Sequence, residues 1–225
     1  MLDVIKGKVI VSCQALEDEP LHSSFIMGRM AKAAKEGGAV AIRAQSKDDI
    51  IEIKKVTDLP VIGLVKRNYE NSEVYITATK KEVDELLESN CEMIALDSTL
   101  RERPKETLKE LYDYIHSKGK LIMADISTLE EGINAYKLGA DCISTTLSGY
   151  TKYSPQSKEP DFNLISDLIK NVDIPVIGEG RLDTPELMLE AYNRGAYSVV
   201  VGSAITRPQL ITKKFTEVLK DKEVS

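Results

Sequence analysis

Short apolar runs alternate with helix-patterned segments along the whole chain, and this alternation most constrains what the sequence can fold into. The runs are rich in Val, Ile, Leu and Ala, which is typical of buried parallel strands. The segments between them carry apolar residues at helical spacing, as Phe25, Ile26, Met30 and Ala33 do. Parallel strands that are joined by helices build α/β proteins.

The pattern predicts eight strands and eight helices. The predicted strands are 8–14, 39–43, 60–65, 92–96, 120–124, 141–144, 175–178 and 198–202. The predicted helices are 24–35, 48–56, 80–89, 104–117, one opened by a capping box at Thr128 and Glu131, 162–170, 184–194 and 208–220. Eight such units without a break in composition predict a single (β/α)8 TIM barrel over residues 1–225. An open doubly wound sheet is the alternative architecture.

An internal sequence repeat favours the closed barrel over the open sheet. The hexapeptide DLPVIG at 58–63 recurs as DIPVIG at 173–178, and a Gly-Ala pair precedes strands two, six and eight. A repeat of half a barrel would place strands three and seven in matching positions.

Composition excludes several classes of protein. The net charge is −6 and no basic stripe stands out, so we expect no nucleic acid partner. The N-terminus lacks the long apolar stretch of a signal peptide, and we expect no membrane partner. Cys13, Cys91 and Cys142 are odd in number and widely spaced, which favours the cytoplasm and a buried apolar role over a disulfide scaffold. For Cys13, near a strand end, a nucleophilic role is the alternative. With two histidines and no Cys/His cluster, we expect no metal site.

Nearly every predicted strand ends in a polar residue or is followed by one, and the candidates at these strand ends form one set. They are Gln14, Arg43, Lys66, Arg67, Asp97, Asp125, Ser144, Thr145, Thr146, Glu179, Arg181, Gly202 and Ser203. Because active sites of these barrels lie at the carboxyl ends of the strands, the sequence predicts a polar basin there.

Lys66 and Glu179 are the pair that we predict to carry the chemistry. They follow strands three and seven, on opposite sides of the barrel mouth, so their side chains can converge on one ligand. A desolvated lysine becomes a usable base, and a desolvated carboxyl group can donate a proton. The pair fits proton abstraction next to a carbonyl, or Schiff-base chemistry at Lys66. Alternatively, Arg67 makes Lys66 part of a basic patch.

The last two units carry a phosphate-binding pattern. Gly178, Gly180 and the pair Gly202-Ser203 would present backbone N–H groups where barrels often bind phosphate, and Arg207 would add a charge-assisted fork. The alternative is that these glycines only make tight turns.

Several longer motifs make the chain resemble a known family. They are SCQALEDEPLHSS at 12–24, AIRAQ at 41–45, Lys66-Arg67, ADIST at 124–128, STTLSGYT at 144–151, Glu179-Gly180-Arg181 and GSAITRP at 202–208. They resemble the bacterial N-acetylmannosamine-6-phosphate 2-epimerase family, in order and over essentially the whole chain.

The resemblance implies an epimerase that interconverts N-acetylmannosamine 6-phosphate and N-acetylglucosamine 6-phosphate in sialic acid breakdown. It implies Lys66 as the base at C2 and Glu179 as its acid partner. The expected substrate-binding residues are Gln14, Arg43, Asp125, Gly180, Arg181, Gly202, Ser203 and Arg207. Arg43 and Arg207 look like the phosphate grip. A proton swap needs no cofactor, so the expected partner is the amino-sugar phosphate alone, with a homodimer as a possible assembly.

Two other functions remain as alternatives to an epimerase. One is an aldolase-type barrel enzyme with a Schiff base at Lys66, and the other is a non-catalytic phosphosugar sensor. We expect His22 to be a loop or capping residue and Asp97 to order the barrel mouth. The loop around Tyr150 is either a lid or a passive surface loop.

Overall fold

The computed structural model describes residues 1–219 and shows eight parallel strands that close into a barrel in chain order. The strands are β1 Val9–Cys13, β2 Ala41–Gln45, β3 Val61–Leu64, β4 Met93–Asp97, β5 Leu121–Asp125, β6 Cys142–Ser144, β7 Val176–Glu179 and β8 Ser198–Val201. Because β8 pairs with β1, the sheet has no free edge. The predicted (β/α)8 barrel is confirmed and the doubly wound sheet is wrong.

Helices surround the barrel. They are α1 Leu2–Ile5, α2 Ser24–Glu36, α3 Lys47–Thr57, α4 Lys80–Ser89, α5 Leu108–Ser117, α6 Leu129–Leu138, α7 Phe162–Asn171, α8 Pro185–Asn193, α9 Ser203–Thr206 and α10 Pro208–Glu217. The predicted capping box at Thr128 and Glu131 is confirmed. The short helices α1 and α9 were not predicted. The predicted end of the last helix at residue 220 lies outside the described residues.

Two predicted elements, the helix at 104–117 and the strand at 39–43, have boundaries that are wrong by two residues or more. Helix α5 begins at Leu108 rather than at 104, because a capping box between Thr107 and Glu110 fixes its start. Strand β2 runs on to Gln45 rather than ending at residue 43. Its start is delayed because the Ala39 N–H is taken by a carbonyl of α2 in the preceding turn. Arg43 is therefore in the middle of its strand.

The barrel interior explains why the polar residues face the mouth. Side chains alternate across a strand, so every second residue points inward. The apolar inward layer consists of Ile10, Ala41, Ile62, Leu64, Met93, Ala95, Met123, Cys142, Ile177 and Val200. Two residues beyond the last of these positions in each strand come Ser12, Arg43, Lys66, Asp97, Asp125, Ser144, Glu179 and Gly202, of which Lys66 and Gly202 lie just past the strand ends. The same alternation that fills the core therefore directs these residues toward the carboxyl-end mouth.

None of the helices within residues 1–219 combines the length and the apolarity that a membrane crossing needs.

Candidate active site

A cavity of about 380 Å³ opens at the carboxyl ends of the strands. Among the residues predicted for the site, its walls contain Gln14, Arg43, Lys66, Glu179, Gly180, Arg181, Gly202, Ser203 and Arg207. Asp125 is fully buried and lies against Arg43, at the base of this cavity. The structure thus brings the predicted residues together around one space.

The floor of the cavity is a buried charge network. Arg43 is only 1% exposed and donates to both oxygens of Asp125, at 2.9 and 2.6 Å. Its Nη1 also lies 3.1 Å from Glu179 Oε2. Burial disfavours the guanidinium charge, but the neighbouring carboxylates outweigh this effect and raise the pKa of Arg43. The cation therefore stays charged in the interior.

Glu179 is fixed by hydroxyl groups from the neighbouring strand end. Its Oε2 accepts hydrogen bonds from Thr146 Oγ1 at 3.0 Å and from Ser144 Oγ at 3.2 Å. Thr145 Oγ1 accepts from the Glu179 backbone N–H and donates to its carbonyl. Burial raises the pKa of Glu179; the charge of Arg43 opposes this rise and that of Asp125 adds to it. The carboxyl group can therefore hold a proton more readily than an exposed glutamate.

Lys66 lies across the cavity at the end of β3. The chain turns back there as a small hairpin, in which Lys66 forms an antiparallel bridge with Ile76. Burial first, and then the charges of Arg43 and Arg207, lower the pKa of Lys66 to about 8. A substantial fraction of the amine is therefore neutral just above neutral pH and can accept a proton.

Arg67, next to Lys66, points away from the cavity. Its guanidinium pairs with Glu82 and Glu85 on α4. The interpretation of Lys66 and Arg67 as one basic patch is therefore wrong.

Arg207 and its neighbours form another part of the wall. Arg207 Nη2 donates to Glu19 Oε2 at 2.8 Å, and its Nη1 lies 3.5 Å from Ser203 Oγ. Thr206 donates to the Ser12 carbonyl at 2.7 Å, which ties the β8 end to β1. Arg207 is less buried than Arg43: its side chain is 27% exposed, compared with 1% for Arg43.

Gly180 and Arg181 form a turn with an uncommon backbone. Both have positive φ, +105° and +56°, which glycine adopts freely but arginine does not. The Arg181 guanidinium donates to the carbonyls of Ser148 and Gly149 and stacks on Tyr150, 4.8 Å from the ring centre. Arg181 therefore joins the loops after β6 and β7.

The cavity wall does not include Asp97, His22 or Cys13. Asp97 accepts hydrogen bonds from Thr99 and Arg101, as a group that orders the mouth would do. The His22 ring contacts the Ala15 carbonyl at 3.1 Å within its own loop. Cys13 is fully buried, and burial raises the pKa of its thiol to about 12, which does not suit a nucleophile.

Ser12 and Tyr75 line the cavity although sequence reasoning placed neither in the predicted site, and Thr146 of the predicted polar basin lines it as well. The alternation along β1 could have identified Ser12, two residues after Ile10. Tyr75 comes from the hairpin after β3, for which the sequence carries no clear signal. Within residues 1–219, no cluster of three or more His, Cys, Asp or Glu side chains could hold a metal ion.

Comparisons with known proteins show the family of the chain. Residues 27–221 match the NanE family model, described as "Putative N-acetylmannosamine-6-phosphate epimerase". The chain belongs to the NanE family. A relative from Clostridium perfringens strain SM101, named "Putative N-acetylmannosamine-6-phosphate 2-epimerase", is 69% identical over 98% of this chain and 100% of its own length. A relative of the same name from Clostridioides difficile strain 630 is 63% identical over 98% of this chain and 99% of its own.

A solved structure extends the match to three dimensions. The N-acetylmannosamine-6-phosphate 2-epimerase from Clostridium perfringens superposes with a TM-score of 0.96 at 68% identity, and the match covers 97% of this chain and 96% of that one. The resemblance noted in the motifs is thus confirmed. Each of these motifs except the one at 124–128 contributes at least one residue to the cavity wall.

Proposed function

We propose that this protein is an N-acetylmannosamine-6-phosphate 2-epimerase that interconverts its substrate and N-acetylglucosamine 6-phosphate during sialic acid breakdown. Membership of the NanE family supports the substrate. The observation that carries the mechanism is the pairing of Lys66, whose pKa is lowered to about 8, with Glu179, whose pKa is raised, on one cavity. One group is prepared to take a proton and the other to give one.

Epimerisation then proceeds by proton transfer at C2. In the open-chain sugar the C1 aldehyde makes the C2 proton acidic, and the neutral Lys66 amine takes it, which leaves an enolate. The Glu179 carboxyl group returns a proton to the opposite face of C2. Lys66 is then an ammonium group and Glu179 a carboxylate, and exchange with solvent restores both. In the reverse direction the two residues exchange roles.

We assign the substrate contacts by how enclosed each residue is. Gln14 Oε1 is buried and has no partner among residues 1–219, so it is available to a donor of the sugar. Arg207, with Gly202 and Ser203 beside it, would bind the phosphate in exchange for its contact with Glu19. Arg43 was grouped with Arg207 as a phosphate grip. The contacts of its Nη1 and Nη2 with Asp125 and Glu179 in the floor support a different role, in which Arg43 holds these two residues in place.

Solvent exchange at C2 tests this function. We expect the protein in D₂O to introduce deuterium at C2 of both sugar phosphates while it converts one into the other, as followed by proton NMR. Binding of either sugar without exchange would support the sensor instead. Borohydride treatment during turnover separates the aldolase alternative: a stable substrate adduct on Lys66 would contradict the proton-transfer mechanism.

A homodimer is supported by an apolar groove outside the barrel. The groove, of about 620 Å³, lies between α2 and α8 and is lined by Met30, Met188, Val201 and Ile205 among others. A helix that follows β8 would normally cover this position. Instead no described residue of α10 is buried, and Phe215 is 73% exposed. We infer that α10 of a second copy fills the groove.

Light scattering on a sizing column tests this assembly. We expect a dimer for the native protein and a monomer for Phe215→Asp, whose charge opposes burial in the groove. A native monomer would contradict the assembly.

Cytoplasmic localisation stays a prediction. The three cysteines are buried and unpaired, which supports a reducing compartment. Fractionation of cells that produce the protein would test it.

A further inference from the structure

A hydroxyl group at the base of the cavity is shared by two carboxyl groups. Thr146 follows β6, the strand between β5 and β7. Its Oγ1 lies 2.8 Å from Asp125 Oδ1 and 3.0 Å from Glu179 Oε2. Ser144 Oγ also lies 2.8 Å from the Thr146 hydroxyl and can donate to it, which leaves the Thr146 hydrogen for one of the two carboxyl groups. A hydroxyl carries one hydrogen, so Thr146 can donate to only one of the two at a time.

The two carboxyl groups differ in the hydrogen-bond donors that they already have. Both oxygens of Asp125 already accept from Arg43, at 2.9 and 2.6 Å. Glu179 Oε2 has weaker support, since Arg43 Nη1 lies 3.1 Å away and Ser144 Oγ lies 3.2 Å away. Thr146 is the nearest of these three donors to Oε2. Its hydrogen therefore contributes more to Glu179 than to Asp125.

The other carboxyl oxygen of Glu179 has a different environment. Among residues 1–219, the side-chain hydrogen bonds and the ion pair of Glu179 all end on Oε2, and the residue lines the cavity. An oxygen that accepts from donors has its lone pairs directed at them and is a poor place for an added proton. A proton that Glu179 takes up is thereby directed to Oε1, which has none of these contacts and is not among the buried atoms of the described chain that lack a partner.

We propose that Thr146 is a positioning residue, whose hydroxyl donates to Glu179 Oε2 and so places the transferable proton of Glu179 on Oε1, toward the sugar. This inference rests on the proposed function, because it concerns the proton that returns to C2. In that step the Oε1–H bond breaks as the C2–H bond forms, and Glu179 becomes a carboxylate. The Thr146 hydrogen bond then becomes charge-assisted and stabilises the ionised product of the step.

The surrounding charges are compatible with this role. Arg43 on β2, Asp125 on β5 and Lys66 after β3 are the charged groups that act on Glu179. Burial raises the pKa of Glu179, so its carboxyl group holds a proton more readily than an exposed glutamate does. Thr146 adds no charge to this set and contacts both carboxyl groups, so its effect is on where the proton lies.

Kinetics of Thr146→Val and Thr146→Ser test the proposal. Valine keeps the shape and removes the hydroxyl, whereas serine keeps the hydroxyl. For valine we expect kcat to fall about 10- to 100-fold with KM within about threefold, and for serine a kcat within about threefold of native. Proton return from Glu179 is impaired while Lys66 still exchanges the C2 proton. The ratio of deuterium exchange into recovered substrate to epimerisation should therefore rise in Thr146→Val.

The matched control is Thr151→Val. Thr151 belongs to the same loop and is buried, and its hydroxyl contacts Ser127 Oγ at 3.0 Å, outside the cavity wall. We expect this variant to keep the native kcat and the native exchange ratio. Equal losses in Thr146→Val and Thr146→Ser, or a native kcat in Thr146→Val, would overturn the proposal.

A titration that needs no turnover separates this inference from the proposed function. The carboxyl ¹³C signal of Glu179, assigned with Glu179→Gln, reports its pKa. Loss of a donor to the carboxylate should raise that pKa in Thr146→Val, and Thr146→Ser should restore it. An unchanged pKa in Thr146→Val contradicts the role of Thr146 even if the enzyme turns over. If the native protein does not exchange the C2 proton of the sugar, the proposed function is contradicted instead. The titration still shows whether the Thr146 hydroxyl donates to Glu179.

Discussion

The ends of β3 and β7 begin from nearly the same sequence and become chemically opposite. Residues 58–63 and 173–178 differ at one position, and both segments enter a strand whose glycine faces the surrounding helices. After the glycine, β7 places Glu179 directly at the next inward position, whereas β3 places Leu64 there. Lys66 comes two residues later, one layer nearer to solvent.

Because Glu179 and Lys66 lie at different depths in the barrel mouth, their side chains have different surroundings. Glu179 reaches the level of the buried Arg43–Asp125 pair, so that burial raises its pKa. Lys66 lies above this level, where burial together with Arg43 and Arg207 lowers its pKa to about 8. The shared hexapeptide therefore positions two strands, and the residues that follow it decide which strand end carries the proposed acid and which carries the proposed base.

Removing the base should have the largest effect. We expect Lys66→Met to lower kcat by about 10³- to 10⁴-fold, because no other neutral amine faces the cavity from the described part of the chain. Arg67→Lys is the control, since Arg67 points to α4; it should keep kcat within about threefold. Loss of C2 deuterium exchange would be measured by NMR, and native exchange in Lys66→Met would break the assignment of β3 as the basic end.

Removing the acid should have a smaller effect. Glu179→Gln keeps the shape and the hydrogen bonds but cannot return a proton, so we expect kcat to fall about 10²- to 10³-fold. Deuterium should still enter the recovered substrate through Lys66. If exchange and epimerisation fall together, the two strand ends do not have separate roles.

The pH dependence sharpens the contrast further. Lys66 must be neutral to act, and with a pKa of about 8 its neutral form dominates only above that pH. We expect kcat/KM to rise with pH up to about 8 and to fall about tenfold per unit below it. Arg207→Gln removes a neighbouring positive charge, so the Lys66 pKa should rise and the rising part of the kcat/KM profile should move to higher pH. If that part of the profile does not move, Arg207 does not act on Lys66.

The two glycines should differ in how well they tolerate a methyl group. A Cβ on Gly63 would lie 2.9 Å from Cys91 Sγ and from Ile50 Cδ1, whereas one on Gly178 would first meet Ile165 at 3.3 Å. We expect Gly63→Ala to lower the free energy of unfolding by about 1–3 kcal/mol and Gly178→Ala by less than half of that. Denaturant unfolding measures both. Equal losses would mean that the helices pack equally tightly against the two strands.

Much of this molecule could be predicted because its signals are local. The alternation of apolar runs with helical segments predicted all eight strands, and the position of Lys66 and Glu179 after strands three and seven predicted that they share a cavity. Where local capping competed with an apolar pattern, as at Thr107 before α5, the predicted boundary was wrong. These errors moved element ends and left the inward or outward direction of the site residues unchanged.

The sequence by itself determined the barrel, the level of its mouth and the residues that reach it, because strand periodicity fixes which side chains point inward. Only the tertiary structure decided their partners. Arg43 looked like a phosphate ligand and lies in the floor against Asp125 and Glu179, and Thr146 became notable only through its distances to these two carboxyl groups. Closure of the barrel brings together groups from β2, β5 and β7, and the charges and burial that set each pKa arise from contacts between strands that are far apart in the chain.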